Sequence, residues 1–185
     1  MSHEEKVYTK LKQHYHCAQA IFATYASDYG MDQETAYRTM ACFAAGMYTG
    51  SVCGCVTAAL AVLGLAYGFS DTKDREREIF GTKIAEEFVD RFQERMEGKF
   101  NCADILENNI STAEGMASIR REGMIKKKCT QAIQTSIEIL EDMLQAYPDM
   151  LAGKPAEPSC DEQEIEKITY LVKRAQKIQH FESHV

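Results

Sequence analysis

Apolar residues recur along this chain mostly at three-to-four spacing, the period of an amphipathic helix, and no run alternates at a period of two long enough to make a strand. Val7, Leu11, Ala18, Phe22, Tyr25 and Tyr29 form a first stripe that Gly30 closes. Asp32 is the expected N-cap of a second helix, through Ala36, Met40 and Phe43 to about Gly46. A glycine-containing passage, Ala44 to Gly50, then leads to Ser51, the expected cap of an apolar helix from Val52 to Tyr67 that Gly68 ends. Asp71 or Thr72 opens a long charged helix with Phe80, Ile84, Phe88 and Phe92 as its buried stripe, running to about Glu97-Gly98. Asn101 caps a short helix from Cys102 to Glu107, and Thr112 to Arg121 is weakly helical. Ile125, Cys129, Ala132, Ile133, Ile137, Leu140 and Leu144 make a strong stripe that stops before Pro148.

Residues 148–158 read as a short linker. Beyond it, Ser159-Cys160-Asp161-Glu162 has a capping-box pattern, and Ile165, Ile168, Leu171, Val172, Ala175 and Ile178 share one helical face. The pattern therefore predicts an all-α, single-domain helical bundle or orthogonal array of about six to eight helices. Residues 1–147 form its cysteine-bearing domain; residues 159–185 are a C-terminal amphipathic helix packing on that domain, or an arm pairing copies as a homo-oligomer.

Length and charge narrow the picture. A chain of 185 residues suits one domain and can fold without disulfide staples. The net charge of −7 argues against a nucleic-acid partner, and the one basic run, Arg120, Arg121, Lys126, Lys127 and Lys128, reads as a solvated helix face. No charge falls between Arg38 and Asp71, yet Gly46, Gly50, Ser51, Gly54 and Thr57 interrupt the stretch short of the roughly 20 apolar residues a membrane span needs. It reads as a buried central helix. The N-terminus shows no apolar segment behind a basic start, so the expected location is the cytoplasm, where seven cysteines are thiols or ligands rather than a disulfide framework.

No Cys-x-x-Cys pair, haem-attachment motif or His-Glu-x-x-His is present, and a lone cysteine on an apolar helix is ordinarily a small core residue. Position distinguishes some of the seven. Cys53 falls in the first turn of the helix expected after Ser51, where free N–H groups and the helix dipole favour a thiolate. Gly46, Gly50 and Gly54 around it either let a ligand approach the backbone or let helices pack closely. Cys102 repeats the helix-start argument more weakly. Cys129 follows three lysines that could favour its anion, and it lies on an inward-facing stripe. Cys17 flanks the first stripe near His14 and His16. Cys42 and Cys55 read as core fillers, Cys55 on a helix face diverging from that of Cys53, and Cys160 as a bystander.

His16-Cys17-Ala18-Gln19-Ala20, Phe43 to Met47, Gly50-Ser51-Val52-Cys53-Gly54, Leu63 to Gly68 and Asn101-Cys102-Ala103-Asp104-Ile105-Leu106, followed by Cys129, resemble the C-GCAxxG-C-C family, described as redox-active. The resemblance covers roughly residues 5 to 145. This chain has Cys55 where the family has alanine, Ala58 where it has a later glycine, and a glycine run thinned to Ala44-Ala45-Gly46. The resemblance implies that Cys17, Cys53, Cys102 and Cys129 act as a set. Four thiolates suit an iron–sulfur cluster or, alternatively, a tetrahedral zinc, with Gly50 and Gly54 supplying N–H donors to the cofactor's sulfur and Cys55 a conceivable substitute ligand. The leading expectation is electron transfer or redox sensing with an unidentified redox partner. Metal-free thiol–disulfide chemistry led by Cys53 and a non-catalytic helical interaction module are the alternatives.

Overall fold

The computed structural model describes residues 1–147; the linker expected over 148–158, Cys160 and the helix expected over 159–185 lie outside the described residues. Among the described residues the chain forms eight α-helices and no strand, so the all-α expectation holds.

The first stripe folds as two helices, not one. Helix α1 (His3–Lys12) begins with a capping box between Ser2 and Glu5. Of the next four residues, His14, Tyr15 and His16 are weak helix formers; His14 takes φ 70° and Tyr15 stacks on Tyr37 at 3.9 Å. Helix α2 (Cys17–Tyr25) then starts afresh from an extended His16. This break, absent from the hydrophobic pattern, makes Cys17 the first residue of a helix. A tight turn, Ala26–Tyr29, carries the chain to Gly30 at φ 78°.

Asp32 caps α3 (Gln33–Met40) as expected, its Oδ1 accepting from Thr35 N–H at 2.9 Å. The helix stops at Met40, short of Gly46, because the chain turns through Ala41–Phe43 and then enters a left-handed run: Ala45, Gly46, Met47 and Tyr48 all have φ between 53° and 61°. Left-handed backbone costs roughly 1–2 kcal/mol for each residue with a Cβ. Ala45→Gly removes that penalty at one position and should stabilise the fold by about 0.5–1 kcal/mol net of the freedom glycine gains when unfolded. Thermal melting should show a rise of a few degrees, and an unchanged or lower midpoint would deny that strain is held there.

Helix α4 (Gly54–Tyr67) starts at Cys53, not Ser51. Ser51 and Val52 are extended, and their backbone is committed elsewhere, as described below. Asp74, rather than Asp71 or Thr72, caps α5 (Arg75–Arg95), whose buried stripe is Ile84, Phe88 and Phe92, with Phe80 partly covered. Helix α6 (Cys102–Leu106) and α7 (Ala113–Arg121) are short; a wide turn, Ile125–Cys129, then runs directly into α8 (Thr130–Ala146).

Helices α2 and α4 are apolar nearly all round and pack on each other at the centre, with α1, α3, α5 and α8 around them. Ile21, Tyr25, Val56, Val62, Phe88, Phe92, Ile139 and Leu140 are fully buried there. The charge-free stretch between Arg38 and Asp71 thus supplies one of two core helices, and no described helix is long and apolar enough to cross a membrane. A smaller cluster, Cys102, Leu106 and Ile119, forms beside this core, with Cys129 touching both.

Candidate functional site

Four helix beginnings deliver the site. Cys17 is the first residue of α2, Cys53 the residue that caps α4, Cys102 the first residue of α6, and Cys129 the joint between the wide turn and α8. Backbone pairing sets two of them side by side. Val52 and Asn101 form an isolated antiparallel bridge, Cys53 N–H donates to the Phe100 carbonyl at 3.1 Å, and Cys102 N–H donates to the Ser51 carbonyl at 2.7 Å. Ser51 cannot begin α4 because its carbonyl already accepts from Cys102 instead of from the helix. Cys53 takes that role, its carbonyl accepting from Val56 and Thr57 at 2.9 and 3.1 Å.

Cys17 reaches the same place from α2. A Cβ at Gly54 would stand 2.9 Å from Cys17 Sγ, so glycine is what lets that sulfur rest on the start of α4. Gly50, at φ 76°, lets α6 approach: a Cβ there would lie 3.1 Å from that of Ala103. What passes close to both glycines in the structure is the protein's own chain. Cys129 closes the group, packing against the small cluster that holds Cys102 and against the main core. The four cysteines singled out by sequence therefore converge; Cys102 and Cys53 are buried, Cys17 and Cys129 half-buried.

A fifth joins them. On a continuous helix Cys53 and Cys55 would diverge, but Cys53 lies outside the helix with extended backbone (φ −57°, ψ 135°), so its side chain folds back over the first turn. The Cys55 side chain, 1% exposed, neighbours those of both Cys53 and Cys17. Cys55 is thus a buried core residue, as expected, and one that also borders the site. The signal that would have found it is the position of the cap, which depends on the bridge to residue 101. Cys42 is exposed, so the core-filler expectation fails for that residue.

The thiols divide into two kinds. The Cys55 thiol, donating to Cys53, holds the Cys53 pKa below the ordinary thiol range against the opposing effect of burial, with the N–H groups of Cys55 and Val56 helping. Cys55 itself is held well above that range by its hydrogen bonds to Cys17 and Cys53 and by burial. Burial first, then the neighbouring sulfurs, raises Cys102, and the same causes push Cys129 up to about 12. The three lysines before Cys129 do not reverse this: Lys126 and Lys127 face solvent, and Lys128 pairs with Glu107 at 3.2 Å.

The raised group predicts alkaline lability. Between the unfolded thiol value near 8.5 and about 12, the unfolded chain loses the Cys129 proton and the folded one keeps it, so stability falls as pH rises. The loss is up to about 1.4 kcal/mol per pH unit for one such group. Denaturant unfolding of reduced, metal-free protein at stepped pH should show at least that slope above pH 9, Cys55 and Cys102 adding to it, and Cys129→Ala should lessen it. An identical slope in the variant would refute the assignment.

The donor set suits a soft metal: four converging sulfurs, two buried and two half-buried, on separate segments. Among the described residues, no group of three or more His, Cys, Asp or Glu side chains is already set as it would be around a metal ion. Thiols that retain their protons would have to lose them and turn inward to bind one.

A family model described as "Putative redox-active protein (C_GCAxxG_C_C)" matches residues 15–143, a span that contains every cysteine of the site. No curated protein and no solved structure matches the chain.

Proposed function

The chain belongs to the C_GCAxxG_C_C family, and from that membership we propose that it is redox-active and that Cys17, Cys53, Cys102 and Cys129 together hold a sulfur-ligated metal centre, an iron–sulfur cluster in the first instance, for electron transfer or redox sensing. One observation carries the reading: four cysteines that four separate segments place at helix beginnings lie near one another, two of them buried and two half-buried. Thiol–disulfide chemistry needs two sulfurs, whereas a cluster or tetrahedral zinc needs four.

When bound, such a cluster supplies a reversible one-electron change at a potential set by its surroundings. The chain's own residues do the rest. The N–H groups of Cys55 and Val56, in the first turn of α4, help to favour negative charge on the Cys53 sulfur. The apolar walls, Leu106 and Ile119 among them, keep water from the sulfurs. Loading releases thiol protons, so uptake strengthens as pH rises. A reduced thiol set of this kind suits the cytoplasm.

A second reading rests on the lowered pKa of Cys53 and its contact with Cys55. The Cys53 thiolate would attack one sulfur of a disulfide substrate, expelling the other as a thiolate. Cys55 or Cys17, after giving up its proton, would then attack the mixed disulfide, leaving an internal disulfide and releasing the second substrate thiolate.

Protein produced and purified without oxygen separates the readings. A brown product with iron and sulfide in whole-number ratio to the chain is expected. A colourless product with one zinc per chain moves the assignment to zinc. A metal-free product that consumes two thiols per disulfide supports the second reading, and one with neither metal nor reactive thiols leaves a helical interaction module.

A further inference from the structure

We propose that the groove between α4 and α5 is the seat of the chain's own residues 159–185, which lie in it as an amphipathic helix parallel to α5. The inference is independent of the chemistry at the sulfurs.

The groove, about 430 Å³, is lined by Leu60, Gly64 and Phe69 from α4 and the turn after it, and by Gly81, Thr82 and Ala85 from α5. Two helices that meet only water along a seam carry polar side chains there. These present two glycines, an alanine and a phenylalanine that is 45% exposed. A Cβ at Gly64 would meet nothing within 4 Å, and one at Gly81 would meet only the Tyr67 carbonyl at 4.0 Å. Neither glycine is required by its described neighbours or by a left-handed backbone, and each weakens its helix relative to alanine. A third helix laid over the seam gives both a purpose, because small residues let its backbone come close.

The end of the described chain identifies the occupant. Tyr147 follows α8 with its ring against Phe80 and Tyr67, at centroid distances of 5.4 and 6.3 Å, and its hydroxyl donates to Glu87 at 2.9 Å. Gly81 and Gly68, the residues next after Phe80 and Tyr67, both line the groove, so the chain leaves α8 beside it. The linker expected over 148–158 reaches up to about 35–40 Å when extended, more than the roughly 32 Å of α5. So short a tether gives an effective concentration in the millimolar range, which favours the chain's own groove over that of a second copy. Ile165, Ile168, Leu171, Val172, Ala175 and Ile178 supply the apolar edge that fills it.

Charge sets the direction. Glu86, Asp90 and Glu94 follow one another along α5 at four-residue steps, without an ion-pair partner among the described residues. Arg75 and Arg77 stand at the start of that helix. In residues 159–185 the acids Asp161, Glu162, Glu164 and Glu166 come first, and Lys173, Arg174 and Lys177 come after. A parallel helix sets those bases beside Glu86, Asp90 and Glu94; an antiparallel one would set them against Arg75 and Arg77.

Hydrogen exchange of the full chain, read by mass spectrometry, tests the seat. Amides of residues 165–178 should exchange about tenfold or more slowly than an unstructured peptide, equally at every chain concentration. Gly64→Leu and Gly81→Leu, whose side chains would occupy the groove, should each return those amides to peptide rates while circular dichroism shows a folded helical protein. If either variant fails to fold, a charge exchange reads the same seat: Lys173→Glu with Lys177→Glu should lose the protection, and Glu86→Lys with Asp90→Lys added to that pair should restore it. A wild-type segment that exchanges like a peptide overturns the proposal. Protection unchanged in the folded leucine variants, or unmoved by the charge exchange, overturns it too. Protection lost on dilution, in step with a fall from double to single mass in light scattering, also overturns it, because the segment would then be an arm between copies.

Discussion

Cys102→Ala is expected to abolish iron and sulfide loading while leaving the helices in place. Weakening a partner that merely hydrogen-bonds to a metal ligand costs roughly 10–100-fold in affinity, and removing a ligand should cost more. Cys102 is a useful choice because its placement depends on its backbone: its N–H is held by the Ser51 carbonyl at 2.7 Å, a bond that alanine keeps. The segment that also carries Cys53 should therefore stay where it is. In metal-free protein the substitution removes one sulfur from a small apolar cluster with Leu106 and Ile119, a loss of about 1 kcal/mol. In loaded protein it removes the binding free energy of the centre, which for structural metal sites is also folding free energy. The gap in melting temperature between loaded and metal-free wild type should thus vanish in the variant. Exposed Cys42→Ala is the control and should keep that gap. Equal, small effects for Cys102→Ala and Cys42→Ala on loading would mean that the sulfurs are packing atoms only.

Gly46→Ala is expected to damage both the fold and the site. Gly46 sits at φ 61° in the left-handed run, and a Cβ there would lie 2.7 and 2.9 Å from the backbone N and C of Ser51. Backbone atoms cannot rotate away as a side chain's end can. The left-handed penalty of about 1–2 kcal/mol then adds to the displacement of Ser51, for a total on the order of 3 kcal/mol. For a domain of this size that corresponds to a fall of roughly 6–12 °C in melting temperature. The consequence reaches the site because Ser51 is the hinge of the bridge: its N–H closes the turn onto the Gly46 carbonyl at 3.1 Å and its carbonyl receives Cys102. Pushing Ser51 outward separates Cys53 from Cys102. Metal loading should fall with stability, and in proportion greater than for a core substitution of equal cost, such as a truncation in α5. A variant that melts like wild type and loads normally would show that the left-handed turn is not what registers the two segments.

The helices were legible in the sequence because their stripes are long and regular: Ile84, Phe88 and Phe92 on α5, and Ile133, Ile137 and Leu140 on α8, need only the helical period. The resemblance to a redox family and the four cysteines that carry it were legible too, and the structure brings those four together. Three features were not, each for a physical reason. The break at His14 follows from weak helix formers and from Tyr15 finding Tyr37, a contact between distant positions that periodicity does not contain. The cap at Cys53 depends on Ser51 being occupied by Cys102, fifty-one positions later, so local capping rules pointed to Ser51 instead. The place of Cys55 at the border of the site follows from that displaced cap, since a helix beginning two residues earlier would have sent Cys53 and Cys55 to different faces. The thinned glycine run hid the left-handed turn, because Ala45, Met47 and Tyr48 occupy conformations that glycine would signal.

X-ray absorption at the iron edge of protein loaded and kept without oxygen asks the central question most directly, since it reads which atoms surround the metal. Iron coordinated by sulfur alone, with that shell disturbed by substitution of any one of Cys17, Cys53, Cys102 or Cys129, is the predicted result. A shell dominated by oxygen or nitrogen, or one indifferent to those four substitutions, would contradict it.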